Sequence, residues 1–310
     1  MAAAREPIAL IAGEGRPPFL VAQGMHAAGR KVIIAGLRGF ACPRLMGLAD
    51  DFFWVGVARL GRLIATLKRR GVRQAVMIGR VRKREMLSPF RLVKYLPDLR
   101  TLWLFYFRIR KDKRDNKVLL ATAEELGREG IELVSSVEYC REHLAGEGLM
   151  TQSALPSGAQ ADADFGWRIA RASADLDIGQ AIAVRERDIL AVEAVEGTDA
   201  MIRRAGRLCR KGGWTLIKVA RPDQDMRFDV PVIGPDTVRR CEDAGCSCIV
   251  LEAGKVLVVD KPTTLALADR LGIAIVGRLA RPHGANGCAG KPPGRCAEVD
   301  LRPGPPGTPA

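Results

Sequence analysis

Residues able to do phosphate chemistry gather in the second half of the chain. Asp177, Gln180, Glu193, Glu196, Thr198, Asp199, Gln224, Asp225 and Asp229 are acidic, amide or hydroxyl side chains, several at the ends of predicted elements. Oxygen donors so placed suit magnesium or manganese, which neutralise phosphate charge and can activate water. Each also has a plainer use: Thr198 or Asp199 can cap the helix predicted after them, and Asp236 another. Lys218 and Arg227 flank the group and could hold phosphates, although a solvated lysine at a strand end carries equal weight.

A second candidate lies near the N-terminus, where the apolar run 8–12 meets Gly13-Glu14-Gly15-Arg16-Pro17-Pro18 and a helix. Such a loop offers backbone N–H groups and a helix dipole to a phosphate or sugar. The third glycine of a dinucleotide fingerprint would fall at Pro18, and no P-loop lysine is present, so a nucleotide site and a structural turn both stay open. The three histidines, His26, His143 and His283, are isolated. This excludes a histidine-rich two-metal phosphoesterase centre and a zinc-protease helix. Cys241, Cys246 and Cys248, with Cys288 and Cys296, lack the paired spacing of zinc ribbons. The string 124–130 matches only part of a Nudix box and reads as a charged surface helix.

The elements that must position these residues alternate. Strands at 8–12, 31–37 and 74–79, with helices up to Gly29 and over 59–70, predict a parallel sheet covered on both faces. A helix over 116–129, a strand over 131–135 and a short helix at 138–143 complete this part. The second half predicts a helix over 165–173, a hairpin of 180–184 with 189–194, a helix over 198–209 and a strand over 215–219. A helix at 236–244, a second hairpin of 247–251 with 255–259, a helix at 262–271 and a strand at 273–276 follow. The expected organisation is a Rossmann-like domain over 1–145, a linker over 146–163, a mixed α/β catalytic domain over 164–280 and a disordered Pro/Gly tail over 281–310. The fold class is therefore α/β, in two α/β domains with the substrate expected in the cleft between them.

With 310 residues the chain is long enough for two cores, and its near-half apolar composition is globular. A formal charge of +14 attracts anions of any kind. Between 89 and 110, Leu92, Leu96, Leu99, Leu102, Trp103 and Phe107 alternate with Arg91, Lys94, Arg100 and Arg108. That pattern fits a buried helix with solvated ends or an interfacial segment with a basic rim. The first residues lack the regions of a signal peptide, so the chain is expected in the cytoplasm with its eight cysteines mostly reduced.

Four strings resemble the LpxI family of UDP-2,3-diacylglucosamine pyrophosphatases: Ile8-Ala9-Leu10-Ile11-Ala12-Gly13-Glu14-Gly15, Leu176-Asp177-Ile178-Gly179-Gln180, the run 192–204 around Glu196-Gly197-Thr198-Asp199, and Gln224-Asp225-Met226-Arg227-Phe228-Asp229-Val230-Pro231-Val232-Ile233-Gly234. The resemblance spans about 8–277. It implies hydrolysis of a UDP-linked diacylated sugar to UMP and 2,3-diacylglucosamine 1-phosphate, a step of lipid A synthesis that needs a divalent metal, magnesium or manganese. It places the essential aspartate at Asp229, in metal binding or water activation. Asp225, Glu196 and Asp199 complete the expected metal set. Gly13, Gly15, Asp115, Asn116, Asp177, Gln180, Thr198, Lys218, Gln224 and Arg227 are the expected substrate contacts.

Two departures qualify this pattern. The family's Gly-Asp-Asp is Arg114-Asp115-Asn116 here, and its Gly-Gly-Gly loop carries Glu14, whose charge favours uridine or sugar over phosphate. Two acyl chains would give the 92–107 segment something to hold, and the expected location is peripheral, on the cytoplasmic face of the inner membrane. A homodimer is compatible with this reading, and nucleic acid is not an expected partner. The competing classes are a nucleotide-dependent oxidoreductase, suggested by Gly13 and Gly15, and a basic nucleic-acid-binding protein, suggested by the net charge.

Overall fold

The computed structural model describes residues 6–81, 97–104, 106–107, 115–221, 226–227 and 230–280; the side chains of 115–117 lie outside that set. The expected tail, 281–310, falls outside the described residues, as do Gln224, Asp225 and Asp229.

The first sheet contains β1 (Pro7–Ala12), β2 (Lys31–Leu37), β3 (Asp51–Val55), β4 (Gln74–Ile78) and β5 (Glu132–Leu133), all parallel, in the order β3-β2-β1-β4-β5. β1 is an unbroken apolar run because it is the central strand, buried on both faces. Helix α1 (Pro17–Ala27) starts on two prolines, which fit a helix's first turn where N–H groups have no partner. Helix α2 (Leu60–Arg69) buries Leu60, Leu63, Ile64 and Leu67, the i, i+3, i+4, i+7 stripe that its sequence predicts. Helix α3 (Leu99–Leu104) and helix α4 (Asp115–Arg128) complete the first half. The strand order reverses between β1 and β4, and crevices at such reversals, outside the carboxyl ends of the strands, are where ligands bind in open α/β sheets.

Residues 136–139 and 141–143 form two 3-10 turns where a short helix was expected. Strand β3 was not anticipated. Its sequence, DFFWV, carries four consecutive apolar residues, but the strand is short and only partly buried at the sheet edge.

The second sheet is mixed. It contains β6 (Gly148–Leu149), β7 (Ala181–Arg185), β8 (Asp188–Val192), β9 (Trp214–Lys218), β11 (Cys246–Glu252) and β13 (Ala274–Arg278), in the order β6-β13-β11-β9-β7-β8. β9, β11 and β13 are parallel, while β6, β7 and β8 pair antiparallel. The hairpin β7–β8 is as expected from its polar turn. Around this sheet lie α5 (Ala159–Asp175), α6 (Thr198–Leu208), α7 (Pro235–Asp243) and α8 (Lys261–Arg270). Helix α5 begins six residues before the expected 165, after Gly158 in a left-handed conformation.

The second expected hairpin does not form. β11 pairs with β9 and β13, whereas β12 (Leu257–Val258) leaves the sheet and pairs in parallel with β10 (Val232–Ile233). Both runs are buried and apolar, so alternation cannot tell a hairpin from a strand that turns away. The turn is held elsewhere: Ala253 N–H donates to Arg278 O, and Gly254 N–H donates to Ala145 O, each at 2.9 Å.

One core cluster belongs to each half, and a third joins them. Ile8, Leu10 and Val76 of the first sheet pack in one cluster with Leu257 and Val259, against which Val230 and Val232 also lie.

Candidate functional site

Lys218 ends β9 in register with Ala181 of β7, and only 7% of it is exposed. Glu193 follows β8, and its N–H donates to Ala181 O at 2.8 Å. Three neighbouring strands thus bring Glu193, Ala181 and Lys218 into a row at one edge of the second sheet. Thr198, the first residue of α6, completes the group: its Oγ1 donates to Glu193 Oε1 and accepts from Lys218 Nζ, both at 2.8 Å. Thr198 therefore does not cap its helix. The N-cap position is Gly197, with no side-chain cap, and the N-cap of α7 is Gly234, so Asp236 is also not a cap.

The turn 176–180 is built around close backbone approach. Asp177 has φ +58, Ser173 Oγ donates to Gly179 O at 3.2 Å, and a Cβ on Gly179 would lie 2.0 Å from Glu193 O. Only glycine lets this turn lie against the end of β8. Asp177 forms an ion pair with Arg221 Nη1 at 2.8 Å. The backbone O of Gln180 accepts from Val219 N–H at 2.9 Å, tying the turn to the end of β9.

Arg221 begins the approach to the 224–234 motif, and the preceding residue is clamped. Glu252, fully buried, accepts Ala220 N–H at 2.8 Å and Arg171 Nη1 at 3.0 Å on each oxygen, with Lys255 Nζ at 3.2 Å. Sequence reading missed Glu252 and Arg171. The available signal was a lone acid closing an otherwise apolar strand, which needs a partner when buried.

The described part of the motif packs against the first half. Met226 O accepts from Ser135 Oγ at 3.1 Å, just beyond β5, and Val232 enters β10. Arg227 lines a recess of about 500 Å³ with Leu120, Ala123, Glu124 and Leu133. A larger recess of about 680 Å³, lined by Arg30, Arg73, Gln74 and Glu132, opens at the strand starts, the opposite edge from that used for ligands in α/β sheets.

At the N-terminal loop the structure supplies a backbone reason for glycine. A Cβ on Gly13 would lie 2.7 Å from the carbonyl carbon of Gly79, and Glu14 and Arg80 exchange two N–H···O bonds at 2.9 Å. Gly15 adopts φ +107. Arg16, next in the loop, forms an ion pair at 2.9 Å with Asp260, the N-cap of α8.

A family model described as the LpxI N-terminal domain matches residues 7–143, and one described as the LpxI C-terminal domain matches 146–276. The chain is also 35% identical over 283 residues to the UDP-2,3-diacylglucosamine pyrophosphatase LpxI of Caulobacter vibrioides, covering 87% of this chain and 96% of that protein. The chain belongs to the LpxI family.

Outside the 224–234 motif, the expected site residues fall into three sets. Asp177, Gln180, Thr198 and Lys218 lie on adjoining turns and strand ends of the second half. Gly13 and Gly15 lie at the end of β1, and Asp115 and Asn116 open α4, with their side chains outside the described residues. Glu196 is paired with Arg204 at 2.7 Å, and Asp199 lies 3.7 Å from Arg240. Among the described residues, no three His, Cys, Asp or Glu side chains are grouped to hold a metal ion.

Proposed function

We propose that this LpxI protein hydrolyses the pyrophosphate of UDP-2,3-diacylglucosamine, releasing UMP and 2,3-diacylglucosamine 1-phosphate for lipid A synthesis. The observation that carries this reading is the match along 96% of a protein named for that substrate. Water adds its oxygen to one phosphorus, the bridging P–O bond breaks, and the other phosphate leaves with the bridging oxygen. Lys218 and Arg227 are assigned to the phosphate charges, which a lysine meets as a point charge and an arginine as a planar fork. Thr198, Asp177, Gln180 and Gln224 are assigned to substrate, with the β1 loop at Gly13 and Gly15 and the start of α4 at Asp115 and Asn116 on the other side. Asp229 is the catalytic carboxylate.

A divalent cation, magnesium or manganese, would supply charge neutralisation of the pyrophosphate. Asp225 and Asp229, hard oxygen donors on one motif, suit it. Glu196 and Asp199 fit less well, because arginines already face their carboxylates.

We assign the chain to the cytoplasmic face of the inner membrane as a peripheral protein. Leu99, Leu102, Trp103, Tyr106 and Phe107 are exposed, with the ring of Phe107 5.3 Å from Trp103 and 5.2 Å from Tyr106. Among the described residues no helix is long and apolar enough to cross a membrane. Aromatic side chains at a surface favour a headgroup boundary or an acyl chain.

The test is incubation of purified protein with UDP-2,3-diacylglucosamine and magnesium. UMP release by wild type, lost in Asp229→Ala, is expected. Equal release by both would remove Asp229 from the chemistry, and release by neither would remove the activity.

A further inference from the structure

We propose that Glu193 is a positioning residue for pyrophosphate hydrolysis, acting through the Thr198 hydroxyl to hold the Lys218 ammonium at the substrate's phosphates. The inference rests on the assignment of Lys218 to phosphate above.

Three observations carry it. The first is direction. Thr198 Oγ1 has one proton, which it gives to Glu193 Oε1, so its lone pairs face Lys218 Nζ at 2.8 Å. A hydroxyl free to rotate could donate elsewhere and release the lysine; one held by a carboxylate cannot. The second is charge. An ammonium on a residue 7% exposed is costly unless compensated, and Glu193 supplies a negative charge one hydroxyl away.

The third observation is an unpaid demand. Glu193 Oε2 is buried and has no hydrogen-bond partner, although a buried carboxylate oxygen normally finds one. Its neighbours fix it there, since Glu193 N–H is bonded to Ala181 and Gly179 closes against its backbone. Packing alone would be served better by an apolar side chain of similar size. A half-satisfied carboxylate that orients Thr198 is a local conflict of the kind found at functional sites.

The experiment measures UMP release from UDP-2,3-diacylglucosamine with magnesium, using full-length Glu193→Ala, Glu193→Gln, Thr198→Val, Glu193→Ala/Thr198→Val and Lys218→Met, with urea midpoints to confirm folding. Glu193→Ala and Thr198→Val should each lower kcat/KM about 10- to 100-fold, the scale for losing an orienting partner. The double variant should be no worse than the more impaired single, since both cut one relay. Glu193→Gln, whose amide oxygen still accepts the Thr198 proton but carries no charge, should recover part of the loss. Effects that multiply in the double variant, wild-type kcat/KM in Glu193→Ala, or a Gln variant as impaired as the Ala variant would each overturn the proposal. Thr198→Val keeps the side chain's shape and provides the same test if Glu193→Ala fails to fold. Wild-type kcat/KM in Lys218→Met would instead overturn the phosphate assignment on which the proposal rests.

Discussion

Glu252 accepts the N–H of Ala220 at 2.8 Å while Arg171, which holds the same carboxylate, also reaches Ala220 O at 3.4 Å. One ion pair thus holds both backbone polar groups of Ala220, four residues before the 224–234 motif. Glu252→Ala leaves Arg171 without its ion-pair partner and the Ala220 N–H without its acceptor, and removing one member of a buried pair costs about 3–5 kcal/mol. Urea unfolding should show that loss, together with reduced UMP release. The double variant Arg171→Met/Glu252→Met removes both charges and should recover part of the stability; a double variant less stable than Glu252→Ala would contradict this account.

Strands β1, β2 and β4 of the first sheet were legible because a buried parallel strand is an apolar run and its crossover helix carries a 3.6-residue stripe. α2 shows this, with Leu60, Leu63, Ile64 and Leu67 on its buried face. β12 was not legible as a separate pair, because its partner β10 is distant in sequence and no local pattern encodes that contact. The same distinction holds at the site. Glu193, Thr198 and Lys218 could be singled out by type and position, but that Thr198 bridges the other two depends on β9 lying beside β7, a tertiary fact. At Gly13 and Gly15 the sequence left a nucleotide site and a structural turn both open, and at Gly13 the structure supplies a backbone demand, the approach of Gly79.

Cysteine reactivity should follow burial. Burial pushes the Cys140 thiol up to about 12, and the same cause takes Cys248 to about 12. Cys241 is also raised, first by its hydrogen bond with Cys246 and then by burial. At pH 8 a thiol with a pKa of about 12 is thiolate in only about one molecule in 10⁴, and the thiolate is the reactive form. Cys42 and Cys209 are partly exposed. Brief treatment of the native protein with iodoacetamide, mapped by mass spectrometry, should label Cys42 and Cys209 and spare Cys140, Cys241 and Cys248. Labelling of Cys140 at the rate of Cys42 would contradict the burial argument.

Glu129 provides a pH dependence with a defined sign. Lys68 Nζ donates to its carboxylate at 2.7 Å and Arg100 Nη2 at 2.5 Å, joining α2, α3 and the residue just after α4. The hydrogen bond from Lys68, followed by that from Arg100, holds its carboxyl at about 2, below the ordinary 4.5. Because the folded value lies below the unfolded one, the pair's contribution is fully present above about pH 4.5 and fades as pH falls towards 2. Carboxyl-carbon NMR should give Glu129 a midpoint near 2 in wild type, moving towards 4.5 in Lys68→Met, with Arg100 still holding part of the shift. A wild-type midpoint at the ordinary value would mean that neither cation engages Glu129 in solution.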